Sequence, residues 1–321
     1  MTPSVDVVVP AYNRWDLTES CLFHLRSQTL PHTVIVCDNG STDATPDRIR
    51  TAFPDVKVLE LGANLGFSRA CNRGVRAGSG EIVVLLNNDV DCRPDFLEHL
   101  VAPFADKRHL GSVAALLLTP GEKQIESFGL AVDVTLAGYP RLRGFPVADA
   151  QRVDPLLAGP SGAAGAYRRQ AWQAVNGLDE GVFSYGEDVD LALRLRAAGW
   201  SSAAAADAVG VHLGSASAAQ RSASQRYQSG FARGYFLRRY AVLSSRAGAR
   251  ALTTEAAAVL GDALVFSHDL AALRGRIAGW HAARGLPGNQ CPRDIIDSGI
   301  TFAESVRLRL RVYSGDTPSC T

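Results

Sequence analysis

Short apolar runs alternate with amphipathic stretches along the first 120 residues. Val5–Val9 is a β-branched run stopped by Pro10. Branched side chains favour a pleated, buried strand, and proline cannot continue one. Leu17, Cys21, Leu22 and Leu25 follow at helical spacing. Thr33–Cys37 predicts a second strand, Asp38-Asn39-Gly40-Ser41 a turn, and the next helix ends before Pro54. Val56–Leu61 predicts a third strand, and Phe67–Ala77 a helix closed by Gly78. Ile82–Leu86 and Ser112–Leu118 predict two more strands. This alternation predicts an α/β fold of right-handed βαβ units around a mostly parallel sheet. In such folds ligands bind beyond the carboxyl ends of the strands.

The pattern changes after residue 120. Gly and Pro become frequent, and GPSGAAGAY at 159–167 reads either as a strand entering a tight site or as a loop. Residues 186–200 predict a short helix stopped at Gly199, and Val209–His212 a last short strand. Beyond Ser215 the pattern is mostly helical. The expected organisation is therefore a body over 1–214, made of halves 1–120 and 121–214, and a helical region over 215–321.

Composition narrows the class. The 321 residues are 46% apolar and 20% charged, which excludes global disorder. The net charge of +1 excludes a wholly basic nucleic-acid coat. The charge is unevenly placed: 215–321 holds 14 arginines against 7 acids, whereas 1–214 holds 19 basic against 25 acidic residues. A basic tail on an acidic body points either to a negatively charged partner or to a solvated arginine-rich surface. The six cysteines form no C-x-x-C pair, and no apolar stretch approaches bilayer length. Together with a start that lacks signal-peptide features, this predicts a reducing cytoplasm.

Four groups could carry chemistry, and each also has an ordinary structural explanation. Asp38 ends a strand, where it could accept from a base or sugar, or make an Asx-turn or helix cap. In LLNNDVD, Asp89 and Asp91 offer oxygen ligands for a hard cation, or merely a polar strand end. Glu187, Asp188 and Asp190 crowd one helical turn. They supply a general base, or simply complement the helix dipole and pair with Arg194. His212, near Gly214 and Ser217, is a metal ligand or a satisfied core histidine. No G-x-S-x-G nucleophile motif or complete P-loop occurs.

Their order along the chain is more specific. VVVPAYNR, CDNGSTDAT, NLGFSRACNRGVRAGSGEIVVLLNNDVD, FSYGEDVDLALRLRAAGW and VHLGSAS, in this order, strongly resemble the inverting family-2 glycosyltransferases, over roughly residues 4–220. Within that family the chain looks closest to the bacterial rhamnosyltransferase-like branch, which builds cell-envelope polysaccharide. The resemblance implies a GT-A fold. Pro10, Ala11 and Tyr12 would line the nucleotide pocket, and Asp38 would read a pyrimidine. Arg69, Asn72 and Asn88 would help hold the nucleotide. Asn87-Asn88-Asp89 stands on the family's D-x-D, with Asn87 departing from its first acid. Asp89 and His212 would hold Mg²⁺ or Mn²⁺, and Asp188 would be the base. Gly162–Ala166 would form the acceptor wall, with Gly162, Ala163 and Glu187 binding acceptor. The implied activity is transfer from a nucleotide-diphosphate sugar, dTDP-rhamnose first, to a saccharide or lipid-linked saccharide hydroxyl. UDP- or GDP-sugar transfer and a non-catalytic sugar-nucleotide binder are the alternatives. A nucleotidyltransferase is disfavoured because VVVPAYNR lacks a Gly-rich basic loop.

Aromatic and basic residues interleave in RYQSGFARGYFLRRY at 226–240. On a helix, Tyr227, Phe231 and Tyr235 form a stripe. The stripe either packs on the catalytic body or a second subunit, or lies peripherally on an anionic membrane. Nucleic acid is not an expected partner.

Overall fold

The computed structural model describes residues 3–214 and 222–314. Ser217 and Cys320 lie outside these residues. The buried apolar runs become the expected first half: β1 (Val5–Ala11), α1 (Trp15–Arg26), β2 (Thr33–Asp38), α2 (Thr45–Ala52), β3 (Lys57–Glu60), α3 (Phe67–Ala77) and β4 (Ile82–Leu86). These strands lie parallel in the order β3-β2-β1-β4. β5 (Val90–Cys92), α4 (Phe96–Val101), β6 (Leu110–Leu118), β7 (Ile125–Ser127), β8 (Leu130–Asp133) and β9 (Gly138–Pro140) follow.

The second half departs from the expected pattern. GPSGAAGAY contributes β10 (Ala164–Arg168), which runs antiparallel between β4 and β6. After α5 (Arg169–Ala174) and α6 (Glu187–Ala197), the last strand of the sheet is β11 (Ser201–His212), far longer than the predicted Val209–His212. Its first part is SSAAAADA, a poor strand former by composition. It is extended because it pairs in parallel with β6, from Ser201 opposite Leu110 onward, with an irregularity before Val209. The main sheet is therefore mixed, in the order β3-β2-β1-β4-β10-β6-β11-β5, with β7 also on β6. β11 pairs antiparallel with β5, so His212 stands opposite Val90 beside the Asn87–Asp89 turn.

The C-terminal part holds α7 (Ala223–Arg239), α8 (Gly248–Gly261), α9 (Ala271–Ala282), β12 (Ile296–Asp297) and α10 (Phe302–Ser314). β12 joins β8 and β9 in a second, three-stranded sheet. Glycines let α7 and α9 cross closely. A Cβ on Gly230 or Gly234 would strike the carbonyls of Ala272 and Arg276, and one on Gly275 or Gly279 those of Tyr227 and Phe231. Two members of the aromatic stripe of α7, Phe231 and Tyr235, turn inward, while Tyr227 stays exposed. Tyr235, Phe236 and Tyr240 share a core with Val189 and Leu193 of α6, and Phe231 packs against it. An apolar stripe that does face outward lies on α8 and the π-helical turn after it, at Leu252, Leu260 and Leu264.

Several arginines of the basic tail are engaged inside the protein rather than solvated. Arg226 pairs with Asp269 and Asp262, and Arg239 bonds Asn289 and the Pro287 carbonyl. Arg233, Arg276 and Arg309 converge on Glu255.

Candidate functional site

The carboxyl ends of β1 and β2 form one wall. Asp38 ends β2 and is buried. Its Oδ2 accepts from the Ser41 amide at 3.2 Å, while its Oδ1 has no hydrogen-bond partner among the described residues. The predicted turn chemistry and an open acceptor therefore coexist on one side chain. Pro10 and Ala11 pair with Cys37 and Asp38, and Tyr12 beyond them is exposed. Asn39 ties this wall to the next loop: its Oδ1 accepts from Leu65 N, and its Nδ2 donates to Asn64 Oδ1. Gly40 is left-handed, and a Cβ there would overlap Ala63, so the approach of the two loops requires glycine.

Arg69 and Asn72 bond to the 178–180 loop. The Asn72 side chain is buried, donates to Leu178 O and Glu180 Oε1, and accepts from Leu178 N. Arg69 pairs with Glu180 at 3.8 Å. Both polar ends of Asn72 are thus bonded to the 178–180 loop.

A second group forms around the end of β4. Gly162 N donates to Asp188 Oδ2 at 2.9 Å, and the next residue, Ala163, accepts at its carbonyl from Asn87 N at 2.8 Å. Two adjacent residues thus connect the acidic helix start to the Asn87–Asp89 turn. Asn88 donates to Thr18 Oγ1 at 2.9 Å, which turns its amide toward α1. Asp188 Oδ1 accepts from Val189 N. Burial pushes the Asp188 carboxyl up, against the lowering effect of these two amides. Burial, and then the neighbouring Asp188 charge, also raise Glu187, whose Oε2 has no hydrogen-bond partner among the described residues. Asp190 faces the other way, bonded to Arg194 Nε at 2.6 Å and Tyr240 OH at 2.7 Å. It is the structural member of the acidic trio, as the i,i+4 spacing with Arg194 suggested.

His212 lies between two carboxylates. Its Nε2 is 3.2 Å from Asp89 Oδ1, and its Nδ1 is 3.5 Å from Glu126 Oε2. Burial opposes a charge on this ring, but Asp89 and Glu126 outweigh it and hold its pKa up at about 10. Glu126 escaped the sequence reading. The available signal was an acid at the centre of the buried triplet Ile125–Ser127. The Asp89–His212 pair fits a divalent cation: one carboxylate oxygen and one imidazole nitrogen face each other, a donor set suited to Mn²⁺ or Mg²⁺. Gly214 keeps the approach open, because a Cβ there would collide with Asp89 Oδ2. Among the described residues, no group of three His, Cys, Asp or Glu side chains is arranged as a complete cation cage.

The profile of glycosyl transferase family 2 matches residues 6–175. The chain belongs to glycosyl transferase family 2. A second profile, glycosyl transferase family group 2, matches 155–281 of this glycosyltransferase. It is 32% identical over 225 residues to the N-acetylglucosaminyl-diphospho-decaprenol L-rhamnosyltransferase of Mycobacterium tuberculosis, covering 63% of this chain and 73% of that one. It is 30% identical over 210 residues to the O-antigen biosynthesis protein RfbC of Myxococcus xanthus, covering 62% of this chain and 16% of that one. These matches put it in the rhamnosyltransferase-like branch. Among solved structures it resembles a Pyrobaculum calidifontis mannosyltransferase in complex with GDP-Man and Mn²⁺, with TM-score 0.53, 21% identity and coverage of 88% and 86%. Another is GalNAc-T7 with UDP, GalNAc and Mn²⁺, with TM-score 0.60, 13% identity and coverage of 97% and 58%. The glycosyltransferase thus has the α/β GT-A fold, with helices at its C-terminal end.

Proposed function

We propose that this glycosyltransferase is inverting and moves a sugar from a nucleoside diphosphate to a saccharide hydroxyl in cell-envelope polysaccharide synthesis. L-Rhamnose from dTDP-rhamnose is the first-choice donor, and a lipid-linked saccharide the first-choice acceptor. The M. tuberculosis relative, named for both chemistries, supports this choice. The observation that carries the reading is the Gly162–Ala163 link, which ties the Asp188 carboxylate to the Asn87–Asp89 turn.

Asp188 is the base in this reading. Its two amide bonds fix the carboxylate, and burial raises its proton affinity toward the working pH. It takes the acceptor hydroxyl's proton as the new C–O bond forms on the face opposite the departing diphosphate, so the anomeric centre inverts. Glu187, Gly162 and Ala163 line the acceptor side. Asp38 Oδ1 offers an acceptor to the N3–H of thymine or uracil. Asp89 and His212 would hold Mg²⁺ or Mn²⁺, which when bound offsets the diphosphate's charge. We assign 1–214 to catalysis, 215–321 to its support, and the whole to the cytoplasmic side of the envelope. Among the described residues no helix is long and apolar enough to cross a membrane.

The test is transfer by the purified chain from dTDP-rhamnose, UDP-sugars and GDP-sugars, with the product anomer read by NMR and chelator as a control. We expect an inverted product from dTDP-rhamnose, abolished by chelator and restored by Mn²⁺ or Mg²⁺. A retained anomer, or full activity in excess chelator, overturns the mechanism. Preference for a GDP-sugar overturns the reading of Asp38.

A further inference from the structure

Glu126 lies on the opposite side of the His212 ring from Asp89. It is the middle residue of β7, and His212 is the last of β11. Both strands are laid down by β6: Leu118 pairs with Ile125 on one side and with Val211 on the other. One strand therefore fixes the separation of the two side chains. Glu126 is 8% exposed, so its carboxylate has been taken out of water. Its Oε2 sits 3.5 Å from Nδ1, while Asp89 Oδ1 sits 3.2 Å from Nε2.

An imidazole nitrogen binds a cation only through an unprotonated lone pair. In the neutral ring, that requires the single proton to sit on the other nitrogen. Glu126, with its Oε2 3.5 Å from Nδ1, is the carboxylate placed to take that proton as an acceptor, which would leave the Nε2 lone pair for a cation held with Asp89. We propose that Glu126 is a positioning residue that sets the tautomer and ring orientation of His212 for a divalent cation held with Asp89. This rests on the reading of Asp89 and His212 as the cation site. Glu126 itself stands across the ring and does not touch the cation. Carboxylate partners of this kind govern metal affinity through the ligand they orient.

The experiment uses the full chain with dTDP at a fixed concentration. Mn²⁺ is titrated and its free signal read by EPR against a protein-free blank. The proteins are wild type, E126Q, E126A, H212A and the E126A/H212A double variant, each checked by thermal melting. E126A should lose about tenfold to a hundredfold in Mn²⁺ affinity. E126Q should lose less, because its amide oxygen still accepts from Nδ1–H. The double variant should bind no worse than H212A alone. In parallel, ¹⁵N NMR of the wild type loaded with Mg²⁺ and dTDP should show the His212 proton on Nδ1. That measurement depends on no variant folding. Wild-type Mn²⁺ affinity in E126A, an equal loss in the H212A background, or a proton on Nε2 each overturns the inference. If H212A binds Mn²⁺ as wild type does, the cation-site reading falls and takes this inference with it. If H212A loses affinity and E126A does not, only the inference falls.

Discussion

Glu187 and Glu255 are equally buried, each 6% exposed, yet they hold their protons oppositely. Burial alone would raise Glu255, but Arg233, Arg309 and Arg276 surround it and keep its carboxyl well below the usual range. Among the described residues no such cation pairs with Glu187. Burial and the adjacent Asp188 charge raise it, and Asp188 is raised with it. The difference separates two uses of a buried acid. A carboxylate ringed by guanidiniums is a tie between α7, α8, α9 and α10, because its charge is already compensated. A pair of acids left uncompensated beside a helix start keeps a proton affinity that a reaction can use.

The largest expected effect tests the second use. D188N should lower turnover by about 10²–10⁴-fold, the scale of a lost general base, with dTDP binding nearly unchanged by calorimetry. E187Q should cost less. Near-normal turnover in D188N would remove the functional side of the contrast. The first use is tested by E255Q, which leaves three buried guanidiniums without their anion. It should destabilise by about 3–5 kcal/mol in urea unfolding, while activity per folded molecule holds. A cost below about 1 kcal/mol would show that the arginines find other partners.

Asp38 sharpens the comparison, being a buried acid with one oxygen bonded and one open. D38A should weaken dTDP or UDP binding by about 1–3 kcal/mol, read by calorimetry. The smallest effect is a pH slope. The raised Glu187 binds a proton in the folded state that the unfolded chain releases. Its stabilisation is present below the ordinary glutamate range and falls as pH rises through its raised value. Glu255 has the reverse sign: its contribution is full above the ordinary range and is lost as pH falls through its lowered value. Melting temperatures across pH should show E187Q flattening the first slope and leaving the second.

Much of the candidate site was legible in single windows of sequence. Asp38 after a β-branched run, Asn87–Asp89 after Ile82–Leu86, and the acids after Gly186 each sit where one strand or helix begins or ends. The bonds of Asn72 were not legible, because its helix shows in the sequence but the loop it pins, 178–180, lies over a hundred residues away. The tail arginines were read as surface or partner-binding for the same reason, since their anions Glu255, Asp262 and Asp269 sit on other elements.

The sequence by itself determined the βαβ half, the turn at Asp38, and the acidic start of α6, because periodicity, capping and turn chemistry act over a few residues. Only the tertiary structure decided that β10 enters the sheet antiparallel, that an alanine-rich stretch becomes β11, and that Glu126 and Asp89 meet across His212. Those outcomes depend on which strands flank β6. Strand neighbours are chosen by burial and backbone pairing over the whole sheet, which no local stretch of residues encodes.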